Sequence, residues 1–239
     1  MYRKAMEPFG LALKEFFEGN KYAKIIFHRD DGLKEEASLL FYFRSENNFT
    51  SIEKQALAIC KGRVLDIGAG VGPHSLSLQK YGLEVLAIDI SPYACEIMRK
   101  RGVKNVKCST VYELKEERFD TILLMGRSIG FVENLSGLTK FLIYCKDLLS
   151  PWGLLLFDSI DVRLTKKPIH LAYQEENIKQ GRYFGEIRLQ IEYKDILGEK
   201  FQILHIDPQT LKDSANNLDW SCEILHKEKG GSYLAKIFK

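Results

Sequence analysis

Closely paired cysteines are missing from this chain of 239 residues. Its five cysteines, Cys60, Cys95, Cys108, Cys145 and Cys222, stand far apart with no C-x-x-C pair, which argues against both a zinc site and a disulfide framework. Four of them lie in apolar patterns, where a thiol behaves as a small hydrophobe, so a reducing cytoplasm is the simplest compartment. Long apolar runs are missing too: a stretch such as Gly153 to Phe157 is far too short to span a bilayer. Glu7, Lys14 and Glu15 interrupt the only N-terminal stretch that could begin a signal peptide, and no small-residue cleavage site follows. Charge of one sign is scarce as well. The net charge is +3, and lysine and arginine are scattered rather than gathered in a tract, so neither a nucleic-acid nor a membrane partner is expected. Repeats, low-complexity tracts and linkers are also missing, which suggests a single domain over residues 1–239.

What is present is an ordinary supply of core-forming residues, with 45% hydrophobic and 28% charged. Residues 1–50 read as a capping segment. In it, Phe9, Leu13, Phe16 and Phe17 share a helical face, a short extended piece covers Lys24 to Phe27, and an aromatic stretch covers Leu39 to Arg44. Thr50 and Glu53 have capping-box spacing at the start of a second helix. From there strands and helices alternate to residue 160, and continuous apolar strands such as Thr121 to Met125 suit a parallel sheet covered on both faces. The expected fold is therefore α/β and doubly wound. Residues 161–206 read as an insertion or lid, polar and aromatic at first and then a hairpin from the strict alternation Ile187, Leu189, Ile191, Tyr193. Residues 207–239 read as a final helix and strand hairpin.

The most informative stretch is Val64-Leu65-Asp66-Ile67-Gly68-Ala69-Gly70-Val71-Gly72-Pro73. An apolar strand ends at an acidic residue, and glycines then supply a turn on which main chain can approach a ligand closely. A dinucleotide loop needs a third glycine at position 73 for close helix packing, and Pro73 stands there instead. A carboxylate at Asp66 is unfavourable beside a pyrophosphate and favourable beside an ammonium or sulfonium.

This stretch resembles the first motif of the class I, Rossmann-like, S-adenosylmethionine-dependent methyltransferases, and the resemblance continues in order over roughly residues 50–160. Ala87-Ile88-Asp89-Ile90-Ser91-Pro92 is similar to the second motif, Phe119 to Leu124 to the fourth, and Leu148 to Leu156 to the closing helix, turn and strand. The resemblance implies a seven-stranded, mostly parallel sheet in the order 3-2-1-4-5-7-6, with S-adenosylmethionine across the ends of the first strands. It implies a cofactor site of Asp66, Gly68, Ala69, Gly70, Gly72, Asp89, Ile90, Ser109, Thr110, Val111 and Met125, with Asp89 gripping the ribose. Arg44 is a candidate to close over the cofactor carboxylate. The chain departs from the pattern at Ser109-Thr110, where the family often has an aspartate near the adenine amine.

Methyl transfer needs a positioned acceptor, excluded water and, for hydroxyl or ammonium acceptors, a proton acceptor, so no fixed catalytic motif is expected. After the fourth core strand the chain has Met125-Gly126-Arg127-Ser128, which is neither the Asn/Asp-Pro-Pro-aromatic motif of base and glutamine methylation nor a Pro-Cys nucleophile. Metal is not expected, because only Asp158 and Asp161 fall near the place of the metal-binding pair. The acceptor is expected to be a small molecule, methylated at oxygen or nitrogen, with Arg127, His170, Tyr173 and Glu175 as candidate catalytic groups. A protein or RNA acceptor, and a cofactor-binding protein without catalysis, remain open alternatives.

Overall fold

A computed structural model describes residues 3–239. Its centre is a seven-stranded sheet whose first five strands arise from the alternation seen in the sequence. These are β3 (Arg63–Ile67), β4 (Glu84–Asp89), β5 (Asn105–Cys108), β6 (Phe119–Leu124) and β7 (Leu149–Ile160), with β11 (Ser221–Lys227) and β12 (Ser232–Phe238) closing one edge. The strand order is β11-β12-β7-β6-β3-β4-β5, parallel except where β12 runs against both neighbours. Counted along the core, this is the order and the single antiparallel strand that the resemblance implies.

Local chemistry sets the helix limits. α2 (Ser51–Ile59) begins with the capping box of Thr50 and Glu53. α3 (Pro73–Lys80) follows Gly72, and α4 (Pro92–Arg101) has Ser91 as its cap, Pro92 in the first turn and Gly102 in the left-handed conformation at its end. α5 (Leu135–Leu148) packs Leu138, Phe141, Leu142 and Cys145 into the larger core, and α7 (Pro208–Asn216), capped by Asp207, adds Leu211 and Ala215. A second apolar layer of Ile52, Leu57, Val64, Leu78, Leu123 and Leu156 covers the opposite face. With both faces buried, the end of β6 (Ile122 to Leu124) and the middle of β7 read as unbroken apolar runs.

Three features depart from the sequence reading. The N-terminal segment holds the expected helix and extended piece as α1 (Glu7–Phe17) and β1 (Lys24–Arg29), but a further strand, β2 (Lys34–Ser38), follows them. The two strands join β8 (Glu186–Tyr193), the two-residue β9 (Ile196–Leu197) and β10 (Phe201–Leu204) in a separate antiparallel sheet, β10-β8-β1-β2, with β9 on β8. α1 lays Leu13 and Phe16 against Ile25 and Ile191 of that sheet and touches α4 on its other side. Second, residues 161–185 contain a helix, α6 (Pro168–Lys179), whose buried side chains are Tyr173, Gln174 and Asn177. Polar burial of that kind leaves no amphipathic signature to read. Third, the Ser150–Gly153 turn lies inside β7: two steps of β6 oppose five of β7, and the extra residues bulge with Trp152 at a φ of 66°.

Candidate active site

The site lies where the parallel strands end, as in open α/β sheets generally. β3 delivers Gly68, Ala69 and Gly70. The N–H groups of Gly68 and Ala69 both donate to the Ile88 carbonyl, at 2.9 and 3.1 Å, which pins the loop onto β4. Gly68, Gly70 and Gly72 all have positive φ, of 68°, 58° and 78°, but they serve different ends. A Cβ on Gly72 would lie 2.8 Å from Val103 and 3.1 Å from Met98, so this glycine lets loop and α4 pack together. A Cβ on Gly70 would meet nothing within 4 Å; that position opens on a cleft.

The cleft has a volume of about 480 Å³. Of the residues expected at a cofactor site, Gly68, Ala69, Gly70, Asp89, Ile90, Ser109, Thr110, Val111, Met125 and Arg44 all line it. Asp66 and Gly72 do not. Asp66 is 1% exposed and accepts a 2.6 Å hydrogen bond from Ser75 Oγ beneath the loop. Burial raises its carboxyl above the usual range, partly opposed by His74 and Ser75, so it braces the turn from behind.

Asp89 is the central polar group of the cleft. One carboxylate oxygen accepts the Gly70 N–H at 2.9 Å and the other the Ser91 N–H at 2.8 Å. Burial pushes its carboxyl up to about 6 despite these donors. Each oxygen keeps a lone pair for a further donor. Ser109 Oγ is buried without a hydrogen-bond partner, an exception that calls for a ligand group or a water.

A second, larger cavity of about 990 Å³ lies beneath the antiparallel sheet, α6 and the end of β7. The two cavities share a rim that includes Phe41, Tyr42, Arg44, Gly126, Arg127 and Leu189. Arg127 stands at that rim with a φ of 61°; its N–H donates to Asp158 Oδ1 at 2.9 Å. Asp158 is 9% exposed, and burial raises its carboxyl, with the Arg127 N–H and charge pulling the other way. His205 closes the same floor; burial and the nearby Arg127 charge lower its imidazole to about 3, so it is neutral.

The other candidate catalytic groups separate. His170 and Tyr173 line the larger cavity, yet both are tied into the scaffold. His170 Nδ1 pairs with Arg29 Nη1 at 2.8 Å. The Tyr173 hydroxyl donates to Asp30 at 2.6 Å and accepts from Arg188, and burial with the Asp30 contact lifts it to about 12. Glu175 is exposed on the outer side of α6 and lines neither cavity, so it leaves the candidate list. Sequence reading passed over the catalytic potential of Asp158 and His205, and of the pair Glu53–His74, where His74 Nε2 lies 2.6 Å from Glu53 Oε1. Glu53 was visible only as a helix cap, because nothing local signals a partner 21 residues away. Among the described residues no three His, Cys, Asp or Glu side chains gather as metal ligands would.

A family model described as a methyltransferase domain matches residues 65–157. An S-adenosylmethionine-dependent methyltransferase from Bacteroides fragilis, solved in complex with S-adenosyl-L-homocysteine, is 33% identical. It matches with a TM-score of 0.85 over 98% of this chain and 95% of its own. The chain belongs to the class I S-adenosylmethionine-dependent methyltransferases. Within that family it is also similar to the ubiquinone biosynthesis O-methyltransferase of Xanthomonas euvesicatoria, 28% identical over 113 residues, 44% of this chain and 46% of that protein. The chain thus spans about half the length of the first curated relatives it matches. The CcbJ methyltransferase of Streptomyces caelestis, at 11% identity and a TM-score of 0.60 over 80% of this chain and 93% of its own, shares the fold.

The residues of the smaller cleft fit the family's cofactor, S-adenosylmethionine. Open space at Gly70 suits close approach of a ligand to main chain, the Asp89 carboxylate can accept two hydroxyl donors, and the buried Ser109 hydroxyl in the cleft lacks a protein partner that a polar ligand group would supply.

Proposed function

We propose that the protein transfers a methyl group from S-adenosylmethionine to an oxygen or nitrogen of a small-molecule acceptor, by in-line displacement and without a metal. The observation that carries this reading is the shared rim: a cleft suited to the cofactor opens at Gly126 and Arg127 onto a separate cavity large enough for an acceptor. Gly70, Asp89, Ile90, Ser109, Val111 and Met125 would hold the adenosyl part, with Arg44 toward the amino-acid tail. When bound, the cofactor supplies a methyl group on a sulfonium whose departure leaves a neutral thioether.

The chain's own contribution is placement. Phe27, Phe41, Tyr42, Leu189 and Ile203 give the acceptor apolar walls that exclude water. Asp158, a carboxylate with no cation bonded to its side chain among the described residues and with its proton affinity raised by burial, takes the proton that a hydroxyl or ammonium must lose. Residues 1–50 serve as a cap, 51–160 as the cofactor-binding core, 161–206 as a lid and 207–239 as the closing helix and hairpin of one domain. A cytoplasmic location goes with the five free cysteines.

The test is a transfer screen with methyl-tritiated S-adenosylmethionine over pools of phenols, alcohols, amines and RNA. Label in a small-molecule fraction, absent with Asp89→Ala, is the expected result. Label in RNA or protein alone, or none despite cofactor binding, would overturn the reading.

A further inference from the structure

Arg44, Glu53 and His74 form a buried chain of polar side chains at the junction of the two cavities. The Arg44 side chain is 9% exposed and that of Glu53 5%. The Arg44 guanidinium lies over the Phe41 ring, 3.4 Å from its centroid, and 5.6 Å from that of Phe49. One terminal nitrogen donates to the Phe41 carbonyl and the other to Glu53 Oε1. Its Nε is buried and has no partner. Glu53 is engaged three times: Oε1 by Arg44 and by His74 Nε2 at 2.6 Å, Oε2 by the Thr50 N–H at 2.8 Å. Burial opposes ionisation of Glu53, but these partners prevail and hold its carboxyl at about 2, so it is an anion. His74 itself lines the cofactor cleft, two residues after Gly72.

This arrangement is costly unless something uses it. An unpaired buried N–H forfeits its hydration, and three ionisable groups in a small volume need a reason to be held there. Arg44 lines the cofactor cleft with that donor unused. A planar guanidinium whose position is fixed by stacking and by one carboxylate can take a second carboxylate along its remaining edge.

We propose that Glu53 and His74 are positioning residues that hold the Arg44 guanidinium as the binding group for the carboxylate of the cofactor's amino-acid tail. Glu53 fixes the guanidinium against the aromatic rings, and His74 fixes Glu53 from the side of α3. The assignment rests on the reading that the smaller cleft binds S-adenosylmethionine. It makes selection for that carboxylate a property of three side chains drawn from the cap, α2 and α3.

The test is calorimetric titration of the full chain with S-adenosylhomocysteine and with its decarboxylated analogue, which keeps adenosine, thioether and amine and lacks only the carboxylate. Wild type should prefer S-adenosylhomocysteine about tenfold or more, the scale of one charge-assisted contact. Arg44→Ala should abolish the preference. Glu53→Gln and His74→Asn should cut the ratio of the two affinities about threefold or more; Arg44→Lys should restore part of what Arg44→Ala loses. A preference that survives in Glu53→Gln and His74→Asn, or equal losses for both ligands, would overturn the proposal. If neither ligand binds wild type, the reading of the cleft falls first, which separates the two failures.

Discussion

The Asp89 carboxylate accepts the N–H of Gly70 at 2.9 Å, so the end of β4 and the glycine loop after β3 are joined by the group proposed to hold the ribose. One side chain therefore shapes the loop and faces the cleft. Asp89→Ala should weaken S-adenosylhomocysteine binding more than tenfold, since hydrogen bonds to a charged group contribute about 1.5–3 kcal/mol. Calorimetry checks this, and unchanged affinity would remove Asp89 from the site.

The same carboxyl sets a pH dependence. Its value of about 6 in the protein lies above the ordinary 3.8, so it takes up a proton as pH falls through 6. Only the ionised form accepts two hydroxyl donors. Affinity for S-adenosylhomocysteine should hold above pH 7 and decline as pH drops below 6, with proton release on binding near the midpoint. For stability the sign is reversed: the folded state favours protonated Asp89, so its contribution is largest below pH 4 and is lost as pH rises through 6. Titrations in buffers of different ionisation enthalpy would show the proton release.

Gly70 and Gly72 should separate binding from stability. Gly72→Ala sets a Cβ 2.8 Å from Val103 at a φ of 78° and should cost about 1–3 kcal/mol of stability by overpacking and strain. Gly70→Ala meets no protein atom, so beyond the backbone strain of about 1 kcal/mol its effect should fall on ligand affinity. Denaturant unfolding and calorimetry on the same two variants decide the matter.

Arg29 ties α6 to the antiparallel sheet. It is 8% exposed, forks onto Asp31 at 2.7 and 2.8 Å, reaches His170 Nδ1 and the Ile169 carbonyl, and lies over the Tyr173 ring at 4.2 Å. Arg29→Ala should release α6, seen as faster amide hydrogen exchange across 168–179 with the parallel core unchanged. Protection equal to wild type would mean that the Tyr173 contacts hold the helix alone.

Tyr173→Phe removes a hydroxyl shared by the exposed Asp30 carboxylate and the half-buried Arg188, leaving each one partner short, and should cost about 0.5–1.5 kcal/mol in unfolding experiments. Cofactor affinity should not change, as Tyr173 lines only the larger cavity.

The parallel core was legible because its signals are local. Thr50 with Glu53, Ser91 with Pro92, and the glycines after Asp66 each announce an element edge within four residues, and the buried end of β6 shows as an apolar run. The antiparallel sheet was not. β2 is Lys34-Glu35-Glu36-Ala37-Ser38, largely exposed, and only its main-chain pairing with β1 makes it a strand. The burial of Asp66 beneath the loop is not legible either, because strand alternation does not reveal that Ser75 of the next helix waits below it. Asp158 reads from the sequence only as a neighbour of Asp161, and His205 not at all, because nothing local signals that the two line one cavity.

The antiparallel sheet has one more consequence, for the order of assembly. Its neighbours β1 and β8 lie far apart in the chain, paired from Ile26 with Glu192 to Arg29 with Leu189, while β3 to β7 pair through contacts between nearby segments. Loop closure over such a span is slow, so the larger cavity should gain its roof after the smaller cleft has formed. A nascent chain would thus have its glycine loop in place before that roof closes. Changes in β1, β8 or α6 could then remodel the larger cavity while leaving the smaller cleft intact.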